Sequence, residues 1–201
     1  MTVIAATADG THVWMAADTG EPVHGTWHGH ARKIRRVHLP HGAGTVLLGV
    51  AGAAGLMTLA EHVIPTCDDT RSIPDGDLDE WADYLAHYLT VTAATAVPPV
   101  TEPDRDGMTT PSGAWILGYR GRLWHLLTHH ALPVPDGLTA IGAGADLALG
   151  WMLGARASAD GGTPWTPEAL VAEAVKAACT RLPYCHAPDG PTVERLDPEG
   201  E

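Results

Sequence analysis

Apolar positions in this chain recur with two different periods, and the change from one to the other marks out its elements. Residues 3–8, VIAATA, and 12–17, HVWMAA, are apolar or small at both alternating positions, as expected of strands covered on two faces. Between them Asp9-Gly10 is a two-residue hairpin signal. With that turn, paired positions sum to 19, which sets Thr2 opposite Ala17 and beside Asp18. After a polar loop, KIRRVHL predicts a strand of alternating charge, and GTVLLGVAG a buried strand running into a glycine-rich turn.

AAGLMTLAEHVI then reads as a short helix. From residue 77 the period is helical: Asp77 can cap, Glu80 stands three residues on, and Leu78, Trp81, Leu85 and Leu89 share a face. Pro98 and Pro99 end it, and residues 98–112 read as a Pro-rich surface loop. SGAWILGYRGRLWHLLTH gives two more strands meeting around Tyr119-Arg120-Gly121. GAGADLALGWMLGARAS predicts a helix entered through a glycine turn. TPEALVAEAVKAAC is a helix with Thr166 at its N-cap, Pro167 at the first helical position, and Leu170, Ala174 and Ala177 on one side. PTVERL suits a last strand before an acidic tail from about residue 197. Strand pairs alternating with helices predict an α+β domain spanning 1–201, with two sheets between helical layers.

Composition narrows what such a domain can do. Twenty-four acidic residues against twelve Lys plus Arg give a net charge of −12, which repels phosphate backbones and anionic lipid. Nucleic acid and membranes are therefore not expected partners. No apolar run reaches about 18 residues and no signal-peptide pattern opens the chain, so a cytosolic protein is expected. Cys67, Cys179 and Cys185 lack a CxxC spacing and read as reduced, structural thiols. Twelve histidines include His24, His28 and His30 close together, but without Cys or a spaced carboxylate they read as a polar loop rather than a zinc site. GAGA at 142–145 lacks the spacing of a phosphate loop. No metal or cofactor is expected.

Several stretches, in order, resemble the proteasome β-subunit family, on its HslV-like side, within the N-terminal nucleophile hydrolases. They are the Met-Thr start, MAADTG, ARKIRRV, LLGVAGAAG, GAWILGYRGRL, AIGAGADLALG and EALVAEAVKAAC. The resemblance implies a four-layer αββα sandwich of two antiparallel sheets and a threonine peptidase whose first residue after processing is the nucleophile. That residue is Thr2. A free α-amine, with an ordinary pKa of about 7.7–8.0, can take the hydroxyl proton and return it to the leaving amine. Met1 must first be removed, because an amide nitrogen is no base, and Thr2 is small enough for ordinary methionine removal.

The matching supports are Asp18 and Lys33, the ammonium lowering the hydroxyl pKa and the carboxylate holding the ammonium in place. Only two lysines occur beside ten arginines, and one falls here. The resemblance also gives Gly52 the N–H that binds the oxyanion, and Gly49 a wall of the substrate side-chain pocket. Ala143-Gly144-Ala145 stands where many relatives carry Ser-Gly-Gly, removing a hydroxyl beside the amine. RLPYCHAP offers no counterpart to the family's late Asp, and Pro22 lacks an N–H near a substrate-pairing position that Glu21 or Val23 could fill instead.

Peptide or unfolded polypeptide is the implied substrate, homo-oligomeric stacked rings the implied assembly, and an AAA+ unfoldase the implied feeder. Two alternatives share the fold: a catalytically silent ring component, and an amidase acting on small molecules.

Overall fold

A computed structural model describes residues 1–23, 26–28, 31–66, 76–103, 109–158 and 165–198. His24, His30, Cys67 and the last three residues lie outside the described residues.

The first apolar runs form β1 (Val3–Ala8) and β2 (Val13–Ala17), buried along nearly all their length. Their register differs from the expectation. Ile4 pairs with Ala17 and Ala8 with Val13, so paired positions sum to 21 and the turn is Gly10-Thr11. The cause is Asp9, whose carboxylate accepts the N–H groups of Thr11 (2.8 Å) and His12 (2.7 Å) and so stands before the turn rather than in it. Gly10 takes the positive φ of 90° that the first turn position requires.

The loop expected next carries two short paired strands, β3 (Glu21–Val23) and β4 (Thr26–His28). β5 (Ile34–His38) and β6 (Thr45–Gly52) follow as an antiparallel pair, and then α1 (Ala54–Val63). α2 (Leu78–Thr95) begins at Asp77, whose side chain accepts the Asp79 N–H, and buries Trp81, Leu85 and Leu89. The Pro-rich stretch is not all loop: β7 (Thr101–Pro103) pairs with β8 (Thr109–Pro111). β9 (Gly113–Tyr119) and β10 (Arg122–Leu127) form the expected hairpin around Arg120-Gly121. β11 (His130–Pro133) and β12 (Leu138–Gly142) were not legible in the pattern, being short and interrupted by Pro133, Pro135 and Gly137. α3 (Ala145–Ser158) and α4 (Pro167–Arg181) come next, then β13 (Thr192–Leu196). Thr166 caps α4 by accepting the Ala169 N–H, but the inward face uses Ala178 rather than Ala177.

Two main sheets result, both antiparallel, with strand orders β12-β1-β2-β13 and β11-β10-β9-β6-β5. Alternation sends odd and even residues of each strand to different cores. Ile4, Ala6, Val13 and Met15 meet Leu47, Ala51, Ile116 and Leu123 between the sheets. Val3, Ala5, Trp14 and Ala16 pack instead against α3 and α4 residues such as Met152, Val171 and Ala174. On the other sheet, Val46, Leu48, Val50 and Trp115 pack against Leu56, Trp81, Leu85 and Leu89 of α1 and α2. The chain is thus a mixed α+β protein of two main sheets and four described helices. No helix among the described residues is long and apolar enough to cross a membrane.

Candidate active site

Thr2 stands one residue before β1, where the ladders with β2 and β12 both end. On the β2 side the ladder is completed by a side chain. Asp18 donates its N–H to the Val3 carbonyl (3.2 Å) and accepts the Val3 N–H on Oδ1 (2.8 Å). The carboxylate is fully buried, and its Oδ2 receives the Lys33 ammonium at 2.9 Å and the His186 N–H at 3.2 Å. A buried carboxylate is tolerated only with such compensation.

Lys33 precedes β5, and its carbonyl accepts the Val50 N–H of β6 (2.9 Å), which fixes where its side chain starts. The ammonium, with its side chain only 9% exposed, also donates to the Gly20 carbonyl at 2.8 Å. Two of three ammonium protons are thereby used among the described residues, leaving one for the pocket that Lys33 and Thr2 both line.

That pocket has a volume of about 630 Å³, lies between the β5–β6 strand ends and α1, and includes Gly52 and Ala143 in its wall. Gly52 has φ +141°, and a Cβ there would stand 2.3 Å from the Ser112 carbonyl oxygen, so only glycine fits where β6 leaves its neighbour β9. Gly49 is placed elsewhere. Its missing Cβ faces Ile4 and Met15 between the sheets, and the pocket wall is its neighbour Val50. Strand alternation is the reason: residue 49 shares the inward phase of Leu47 and Ala51, whereas Val50 points toward α1.

Ala143 is exposed at the mouth, and the Gly144 N–H approaches the Thr2 carbonyl at 3.5 Å. The segment RLPYCHAP contributes main chain rather than a carboxylate. Besides its N–H to Asp18, the His186 carbonyl accepts the N–H groups of Thr19 (3.0 Å) and Gly20 (2.7 Å). No residue type signals such a role in advance. Two thiols lie within electrostatic range of the ion pair: burial first, then the Asp18 carboxylate, pushes Cys179 up to about 12 and Cys185 up to about 11. Both are therefore protonated and inert at neutral pH. Thr2, Lys33, Gly52 and Ala143 thus line one pocket, Asp18 is buried behind Lys33, and Gly49 does not line it.

No protein-family model matches the chain, and no curated protein matches it in sequence. Solved structures do match in shape. BPH of Thiobacillus denitrificans superposes with a TM-score of 0.71 at 18% identity over 100% of both chains. The same protein in complex with epoxomicin gives 0.69, again at 18% identity and full coverage of both chains. The eukaryotic HslV of Trypanosoma brucei gives 0.66 at 19% identity, over 97% of this chain and 99% of that one. At this level of identity the likeness is one of fold.

Proposed function

We propose that the chain is a threonine peptidase of the proteasome and HslV type, built as a four-layer αββα sandwich and working through Thr2 once Met1 is removed. The observation that carries this is the buried Asp18–Lys33 pair tied by Asp18 to the residue next to Thr2, at a pocket that Thr2 lines. In this reading Thr2 Oγ attacks the peptide carbonyl, and its own α-amine takes the hydroxyl proton. The C–N bond then breaks as the amine returns that proton to the leaving nitrogen, leaving an ester that water hydrolyses. The third Lys33 proton stabilises negative charge at Oγ, and the Gly52 N–H is assigned to the oxyanion.

The shared fold supports extending the reading to peptide or unfolded polypeptide as substrate, a homo-oligomeric ring, an AAA+ feeder and a cytosolic setting. Epoxomicin, bound in one BPH structure, is the first ligand to try.

One observation favours a second reading. Ala143 puts no hydroxyl beside the amine, as in a catalytically silent ring component of the same fold. Intact mass and hydrolysis of fluorogenic peptides by native protein and Thr2→Ala separate the two. Loss of Met1 with hydrolysis confined to the native protein is expected. Retained Met1, or equal rates from both proteins, overturns the peptidase reading. Turnover of small amides but not peptides would point to an amidase.

A further inference from the structure

The pocket beside Thr2 is apolar at its base and cationic on one wall. Val50 and Met57 are 6% and 7% exposed, while Arg32, Lys33 and Arg35 line the same space. These charges are unequally compensated. Lys33 is held by Asp18, and Arg35 by Glu61 of α1, whose Oε1 meets Nε at 2.5 Å. Arg35 Nη1 is buried with no hydrogen-bond partner among the described residues, and a buried charged donor without an acceptor is costly. Arg32 is exposed at the wall with no described carboxylate opposite it. Of the lining side chains, Arg32, Lys33 and Arg35 are basic and Glu61 acidic; with Asp18 behind Lys33, two ion pairs cancel and one side-chain positive charge, that of Arg32, is left over beside the α-amine, in a chain whose net charge is −12.

We infer that this pocket selects a substrate residue with a side-chain carboxylate on the acyl side of the cleaved bond, Arg35 and Arg32 receiving it. The methylenes of a glutamate lie along Val50 and Met57, and its oxygens accept from the guanidinium groups, whose planar forks match a carboxylate in a way a lysine does not. Glu61 holds the Arg35 guanidinium at the pocket by the ion pair at Nε. A lysine or arginine side chain in the same space meets the surplus positive charge and is rejected. The inference rests on the peptidase reading for the position of the cleaved bond, but not for the chemistry of the pocket.

The test uses full-length protein with Met1 removed and four peptidyl-aminocoumarins differing only in the last residue: Glu, Gln, Leu or Lys. Glu is expected to exceed Leu in kcat/KM by about 10-fold, the scale of one hydrogen bond to a charged group, with Lys poorest. Arg35→Met should collapse the Glu-to-Leu ratio, and Arg35→Lys should restore part of it. A ratio is immune to loss of folded protein. Binding of fluorescein-labelled peptides ending in Glu or Leu to the Thr2→Ala protein, read by anisotropy, gives the same comparison without turnover. Equal or reversed preference in that assay, or a ratio indifferent to Arg35→Met, overturns the pocket assignment. Retained Glu preference in binding without hydrolysis of any peptide upholds it and overturns the peptidase reading alone.

Discussion

Val3 donates its main-chain N–H to Oδ1 of Asp18 at 2.8 Å, so a carboxylate takes the place of a strand carbonyl at the position next to Thr2. The same carboxylate holds the Lys33 ammonium through its other oxygen. Positioning and charge are joined in one side chain.

From this union, stability and activity should separate on paired substitution. Asp18→Ala leaves the Lys33 ammonium buried and unpaired, at an expected cost of about 3–5 kcal/mol. Asp18→Asn with Lys33→Met keeps an acceptor for Val3 and removes both charges, and should recover most of that loss. Hydrolysis should stay about 10²-fold or more below native in both. Urea unfolding at fixed protomer concentration, beside peptide turnover, checks this, and a double variant as unstable as Asp18→Ala would contradict it.

Gly52→Ala should be poorly tolerated. The new Cβ would lie 2.3 Å from the Ser112 oxygen at a φ of +141°, so the end of β6 must shift. A loss of about 1–3 kcal/mol is expected, read as a lower Tm, together with a fall in turnover.

His125 sets a pH dependence of stability. Burial lowers its pKa from the ordinary 6.5, and its Nε2 contacts Thr139 Oγ1 between β10 and β12. The unfolded chain therefore binds a proton at a pH where the folded one does not. Stability from this group is present above about 6.5 and is lost as pH falls through that value toward the folded pKa. Tm measured from pH 7.5 down to 5.5 should drop less steeply in His125→Gln than in the native protein.

Cys179 and Cys185 should resist alkylation at neutral pH while the chain is folded. Burial raises them to about 12 and about 11, so the thiolate that reacts is scarce. Iodoacetamide labelling followed by peptide mass mapping should find both unmodified in native protein and both modified in urea. Rapid native labelling of either would contradict the burial described.

Local signals announced much of this fold. Asp77 and Thr166 cap α2 and α4, and the Arg120-Gly121 turn joins β9 to β10, each being a preference expressed within a few residues. Asp18 and Lys33 meet at 2.9 Å, but by a different path: Asp9 moved the turn, so that Ile4 rather than Thr2 came opposite Ala17, and Val3 opposite Asp18. The misjudged features depend on distant parts of the chain. Whether Gly49 or Val50 faces the pocket is decided by the side of β6 on which the other sheet lies. β12 becomes a strand because β1 offers it an edge, and Leu138–Gly142 alone shows only five residues between turn signals. The part played by His186 is that of a peptide group, which every residue but proline carries.

Around Thr2, then, the fastenings are mostly peptide groups: the Val3 and His186 amides, the Gly20 oxygen, and the Ser112 carbonyl against which Gly52 lies. Letters at such places can be rewritten over generations without moving the atoms that count. A molecule fastened this way can keep its shape through many changes of letter, and Asp18 and Lys33, whose charged side chains do what no peptide group can, are the exceptions.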